Sequence, residues 1–159
     1  MDRENTIPTL AGALLATAGD AILAVDRESR ITFWNPGAER IFGFRRDEAL
    51  GQKLDIIIPE NLRARHDSGF RHTMATGATR YGAGDLLAVP ALTRDGRRIS
   101  IEFSIVLLRD ATGAPDGVAA ILRDVTGNFE AMRALRQRLA ELERAAQPMA
   151  KATTNGKVT

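Results

Sequence analysis

The chain has the pattern of an α+β domain built on an antiparallel sheet, and three observations carry that expectation. Two groups of short β-rich runs, each joined by turn residues, flank a helical middle. Ile99, Ile101, Phe103 and Ile105 alternate strictly with Ser100, Glu102 and Ser104, which buries one face of a strand. Asp95-Gly96, set between two such runs, is a strong local hairpin signal.

The elements follow in order. Residues 1–9 are polar and predict a flexible start. Leu10, Leu14 and Leu15 then fall at helical spacing in an Ala-rich segment that Gly19 closes. From Ala21 the period changes: AILAV, the polar turn Asp26–Arg30 and ITFW predict a hairpin, stopped by Asn35-Pro36-Gly37. Ala38–Phe44 and Arg46–Leu50 are amphipathic but short, so they need packing to be helical. Asp47 and Glu48 suit the positive end of the second. Leu54–Ile58 is apolar and halts at Pro59. Leu62–Ala75 is the longest helix of the domain, with Leu62, His66, Phe70 and Thr73 or Met74 on one face and Thr76-Gly77 at its end. Strands over Asp85–Thr93, from Ile99 onward, and over Val118–Val125 complete the order β-β-α-α-α-β-β-β, with turns at Arg94–Arg97 and Asp110–Gly117.

Gly127 precedes a different composition. Met132, Leu135, Leu139, Leu142 and Ala146 recur at intervals of three and four, flanked by Arg133, Arg136, Arg138, Glu141, Glu143 and Arg144. The stripe is either packed on its own domain or the seam of a homodimeric coiled coil. It follows a complete sheet, and a helix of this length needs a partner, which favours the seam. Pro148 is expected to end the helix, leaving residues 148–159 as a disordered tail. The expected divisions are therefore 1–9, a domain over 10–127, a helix over 128–147, and the tail.

Composition narrows the function. Over 159 residues, 22 basic and 20 acidic side chains leave a formal charge of +2, too weak a field to argue for nucleic acid or a membrane surface. Without cysteine there are no disulfides, thiolate nucleophiles, cysteine-held zinc or iron–sulfur clusters, or flavin–cysteine photochemistry. No apolar run approaches the ~20 residues of a membrane span, and the start is polar rather than signal-like, so a cytoplasmic protein is expected. Scattered aspartates offer no paired carboxylates for acid–base work. Ser68 and Ser100 lack a nucleophile elbow. The adjacency of His66, Asp67 and Ser68 does not make a triad. Trp34 is a core aromatic or a flavin-stacking one, without any phosphate loop to favour the latter. Arg63, Arg65, Arg71 and Arg80 are a solvated face or an anion site. No enzyme is expected.

Taken together, DAILAVDRESRITFWNPGAERIFGF, EALGQKLDIIIPE, the long helix, LTRDGRRISIEFS and ILRDVTGN resemble a PAS sensory domain from about Leu10 to Gly127. The resemblance implies a five-stranded antiparallel sheet that encloses a ligand pocket with the intervening helices. It also implies flanking helices that dimerise and carry signal, with Asp124 and Thr126 at the exit. Residues 128–159 hold no kinase, cyclase or DNA-binding segment, so output is expected through a downstream signalling protein or the oligomeric state.

His66 and His72 are six apart, the wrong spacing for a shared metal face on a helix, and only His66 lies on the apolar side. Such an imidazole either bonds a backbone carbonyl or ligates haem iron. IPENLRARHDSGFRHTMATG is similar to the haem-binding helix of oxygen-sensing PAS domains of the FixL and Dos kind. That resemblance implies haem b with His66 as the metal ligand, Phe70 beside it, and His72 and Arg80 near the propionates. Leu87, Phe103 and Ile105 would surround the gas site. The distal arginine of such sensors falls at Leu86 or Leu87, and the distal methionine of the related phosphodiesterase at Gly84 or Asp85. Five-coordinate iron favouring CO or NO is the resulting expectation. The alternative is a cofactor-free dimerisation module with a filled core.

Overall fold

The computed structural model describes residues 6–80 and 86–152. The chain divides into two compact units, one reaching Val125 and one beginning at Thr126. In the first, α1 (Thr6–Leu15) precedes the hairpin β1 (Ala21–Asp26) and β2 (Ile31–Trp34). Then come α2 (Pro36–Phe42), α3 (Arg46–Ala49), a 3-10 turn (Leu54–Ile57) and α4 (Glu60–Thr76). Strands β3 (Leu87–Leu92), β4 (Arg98–Arg109) and β5 (Pro115–Asp124) complete a five-stranded sheet of order β2-β1-β5-β4-β3, antiparallel throughout. The expected α+β class and element order are those of the structure.

Local chemistry explains the turns. Asp26 Oδ1 accepts from the Glu28 and Arg30 amides at 3.0 and 2.8 Å, which closes the first hairpin with Ser29 at φ 60°. Asn35 caps α2: its Oδ1 accepts from Ala38 N and from Ile22 N, each at 2.8 Å. Its amide donates to the Thr17 and Asp20 carbonyls at 2.9 and 3.0 Å, joining the α1–β1 connection to the helix. Glycine at 37 permits the close approach: a Cβ there would lie 1.9 Å from the Asp20 carbonyl oxygen. In α3, Glu48 Oε2 accepts from Arg45 N at 2.8 Å. Asp110 Oδ1 accepts from Thr112 N and Ala114 N at 2.8 and 3.1 Å, shaping the β4–β5 turn.

Several boundaries differ from expectation. Helix α1 begins at Thr6, inside the segment expected to be flexible, and ends at Leu15, so Gly19 is not its cap. Strand β5 starts at Pro115 rather than Val118; proline is tolerated at a first strand position, where no ladder donor is required. The second unit, α5, runs from Thr126 to Ala152 and passes through Pro148. A proline near a helix end removes one backbone hydrogen bond without forcing a stop. The tail beyond Ala152, residues 1–5, and the positions Gly84 and Asp85 lie outside the described residues.

One core serves the first unit. Ala21, Leu23 and Val25 of β1, Ile31 and Trp34 of β2, Phe42 of α2, Ile99 and Ile101 of β4, and Leu122 of β5 are all buried. Trp34 donates from Nε1 to the Phe44 carbonyl at 3.0 Å, and its ring centroid is 5.5 Å from that of Phe42. It is a core aromatic.

Candidate functional site

The side chains on one face of α4 define the site. Met74 is fully buried, whereas Leu62, His66 and Phe70 on the same side are half-buried. Leu54, Ile56 and Ile58, on and just after the 3-10 turn, also pack against the core and stay partly accessible. Phe103 and Ile105 of β4 behave in the same way. Phe103 stands opposite Leu87 on one side and Leu122 on the other, and Ile105 opposite Ala120. Strand alternation then puts Leu87, Phe103 and Ile105 on the core-facing side of the sheet.

His66 has the most constrained chemistry. Its ring stacks on Phe70, with centroids 6.0 Å apart and planes 24° from parallel. Nδ1 is buried and has no hydrogen-bond partner; the nearest carboxylate oxygen, Asp67 Oδ1, is 3.8 Å away, beyond hydrogen-bond range. Burial pushes the imidazole below its ordinary value, against the upward pull of the Asp67 and Asp55 carboxylates. The ring is therefore held toward its neutral form. Asp55, His66 and Asp67, all half-buried, each offer one ligand atom within 4.8 Å of the others. Sequence reasoning missed this grouping. Asp55 precedes Pro59 on a 3-10 turn, and no helical spacing relates it to α4.

His72 and Arg80 are both exposed, and neither side chain has a hydrogen bond or ion pair among the described residues. Arg65 and Arg71 are exposed, while Arg63 donates from Nε to the Ile58 carbonyl at 3.1 Å. Two open grooves, of about 490 and 330 Å³, lie elsewhere. The first is lined by Arg40, Phe42, Thr93, Arg94 and Arg97, the second by Leu15, Phe33, Trp34 and Glu39. Neither is lined by His66, Phe70, Leu87, Phe103 or Ile105.

At the exit, Asp124 ends β5, Val125 N donates to the Ser100 carbonyl at 2.9 Å, and Thr126 begins α5. Along α5, Met132, Leu135, Leu139 and Leu142 are each more than half exposed.

The model of the PAS fold matches residues 15–128. This chain belongs to the PAS family. PAS domains are the sensory modules of signal-transduction proteins, and the sheet and helices described above are that fold. Over 139 residues this PAS domain is 30% identical to the sensor protein FixL of Bradyrhizobium diazoefficiens, covering 87% of the chain and 27% of FixL. It is also 30% identical over 81 residues to the oxygen sensor protein DosP of Escherichia coli, covering 51% of the chain and 10% of DosP. It thus spans about a quarter or less of these relatives. Among solved structures, the PAS domain of a protein from Colwellia psychrerythraea superposes with a TM-score of 0.65 at 22% identity, covering 77% of this chain and 98% of that one. No helix among the described residues is long and apolar enough to cross a membrane.

Proposed function

We propose that this PAS domain senses a small molecule through haem b held by His66, and passes the response to α5 and a downstream signalling partner. The observation that carries the reading is the His66 imidazole: half-buried against Phe70, biased toward the neutral form, with a buried nitrogen that no protein group satisfies. A neutral imidazole is the form that ligates iron, so the donor chemistry fits. Haem, when bound, supplies a coordination position for a diatomic gas.

The chain's own residues do the rest. Phe70 fixes the imidazole plane by stacking. Leu87, Phe103 and Ile105 give the sheet side an apolar surface that excludes water and offers no hydrogen bond to a ligand. With no donor there, CO or NO is favoured over O2. His72 and Arg80, exposed and unpaired, are available to carboxylates through charge-assisted bonds. A ligand shifts the output only by binding two states of the domain unequally. Asp124 and Thr126, where β5 passes into α5, are the exit for that shift.

The competing reading is a cofactor-free homodimerisation module. It is favoured by the two grooves, neither of which is lined by His66 or the sheet residues named above. Visible absorption of protein expressed with haem precursor, beside His66→Ala, separates the two. A Soret band lost in the variant supports haem sensing. A colourless wild-type protein removes haem and leaves the dimerisation module.

A further inference from the structure

The sense in which α5 pairs is written in its charges. The stripe assigns Met132 and Leu139 to heptad position a, Leu135 and Leu142 to d, and Ala146 to the next a. The four large side chains are exposed along one continuous helix. On that register Arg136 and Glu143 occupy e, Arg138 occupies g, and Ala131 and Ala145 fill the neighbouring g positions.

Two arrangements of a pair keep these apolar layers. In a parallel, in-register pair, each g residue meets the e residue of the next heptad across the seam. Arg138 then faces Glu143 of the partner subunit, twice by symmetry, and Arg136 faces only an alanine. An antiparallel pair instead sets Met132 against Leu142 and Leu135 against Leu139, and brings e to e and g to g. Arg136 then meets its own copy, Arg138 meets its own copy, and Glu143 is left beside Phe129. Like charges would crowd the middle of a seam only two heptads long. Opposite charges lie there in the parallel case.

We propose that α5 pairs with a second copy of this chain in parallel and in register, the sense being set by Arg138 against the partner's Glu143. The inference rests on the reading of α5 as a pairing helix. It brings the two Thr126 ends together, so that both exits from β5 feed adjacent helix starts.

The absence of native cysteine makes the test clean. Met132→Cys and Leu142→Cys are made separately and oxidised alone and as a mixture, with sedimentation reporting the oligomeric state. In the parallel pair each variant crosslinks to itself. In the antiparallel pair the two copies of position 132 are ten residues apart along the seam, or about 15 Å. That is far beyond the roughly 4.4–6.8 Å between the Cα atoms of a disulfide. Self-crosslinking of both variants, without preference for the mixed product, supports the proposal. A mixed 132–142 crosslink that outpaces both overturns the parallel sense while leaving the pairing intact. A monomer with no crosslink at either position overturns the pairing itself. Arg138→Glu alone is expected to weaken the dimer about three- to tenfold, and adding Glu143→Arg to recover it. No change in the single variant would overturn the role given to this ion pair.

Discussion

Arg123 and Asp20 form a two-point ion pair, Nε to Oδ1 at 3.0 Å and Nη2 to Oδ2 at 3.2 Å. It ties the last turn of β5 to the residue that opens β1. Because Arg123 is one residue before Asp124 and three before α5, the pair holds the exit of the sheet against the α1–β1 connection. Arg40 braces the same connection, donating to the Ala18 and Gly19 carbonyls at 2.7 and 2.8 Å.

Asp20→Asn should therefore act on motion more than on stability. Both partners are solvent-accessible, and salt screens such pairs. Thermal midpoints at physiological ionic strength are expected to stay near wild type. Amide hydrogen exchange around Arg123–Thr126 should quicken. Unchanged exchange there would show that the ion pair does not restrain the exit.

Asn35→Ala should be severe. The side chain is buried and makes four hydrogen bonds, so its loss leaves two amides and two carbonyls short of partners. Losing several buried bonds together with a helix cap points to about 3–5 kcal/mol. Urea unfolding measures it, and a loss below about 1 kcal/mol would mean that water replaces the network.

How much of this was legible beforehand follows from what is local. The alternation of Ile99 to Ile105, the Asp95-Gly96 turn and the Asp26–Arg30 turn encode strands and hairpins in neighbouring residues, and the sheet follows from them. Asn35 was visible as a strand stop. Its bonds to Thr17, Asp20 and Ile22 span 13 to 18 residues, and no periodicity reveals them. The site divides the same way. Placing His66 and Phe70 on one face needs only helical spacing, whereas the approach of Asp55 depends on how the 3-10 turn meets α4. Pro148 misled because its local penalty is real but small near a helix end.

Trp34→Phe should destabilise the core and leave any chromophore untouched. The indole is buried, and phenylalanine both shrinks the side chain and strips the Phe44 carbonyl of its donor. A cost of about 1–3 kcal/mol is expected, read by chemical unfolding followed by circular dichroism. A visible spectrum altered without loss of stability would instead put the indole against a ligand.

His66 should make the haem-free protein sensitive to acid. Its folded pKa lies below the unfolded value of 6.5, chiefly through burial, with Asp67 and Asp55 only partly offsetting that. Between the two values the unfolded chain binds the proton and the folded one does not, so stability rises with pH across that window. The loss begins as pH falls through about 6.5 and levels off below the lowered folded value. Thermal midpoints of wild type and His66→Gln, followed from about pH 7.5 to 5, should therefore converge or cross as wild type loses the additional increment. Parallel curves, with the His66 ring titrating by NMR at 6.5 or above, would contradict the desolvated, neutral imidazole on which iron ligation depends.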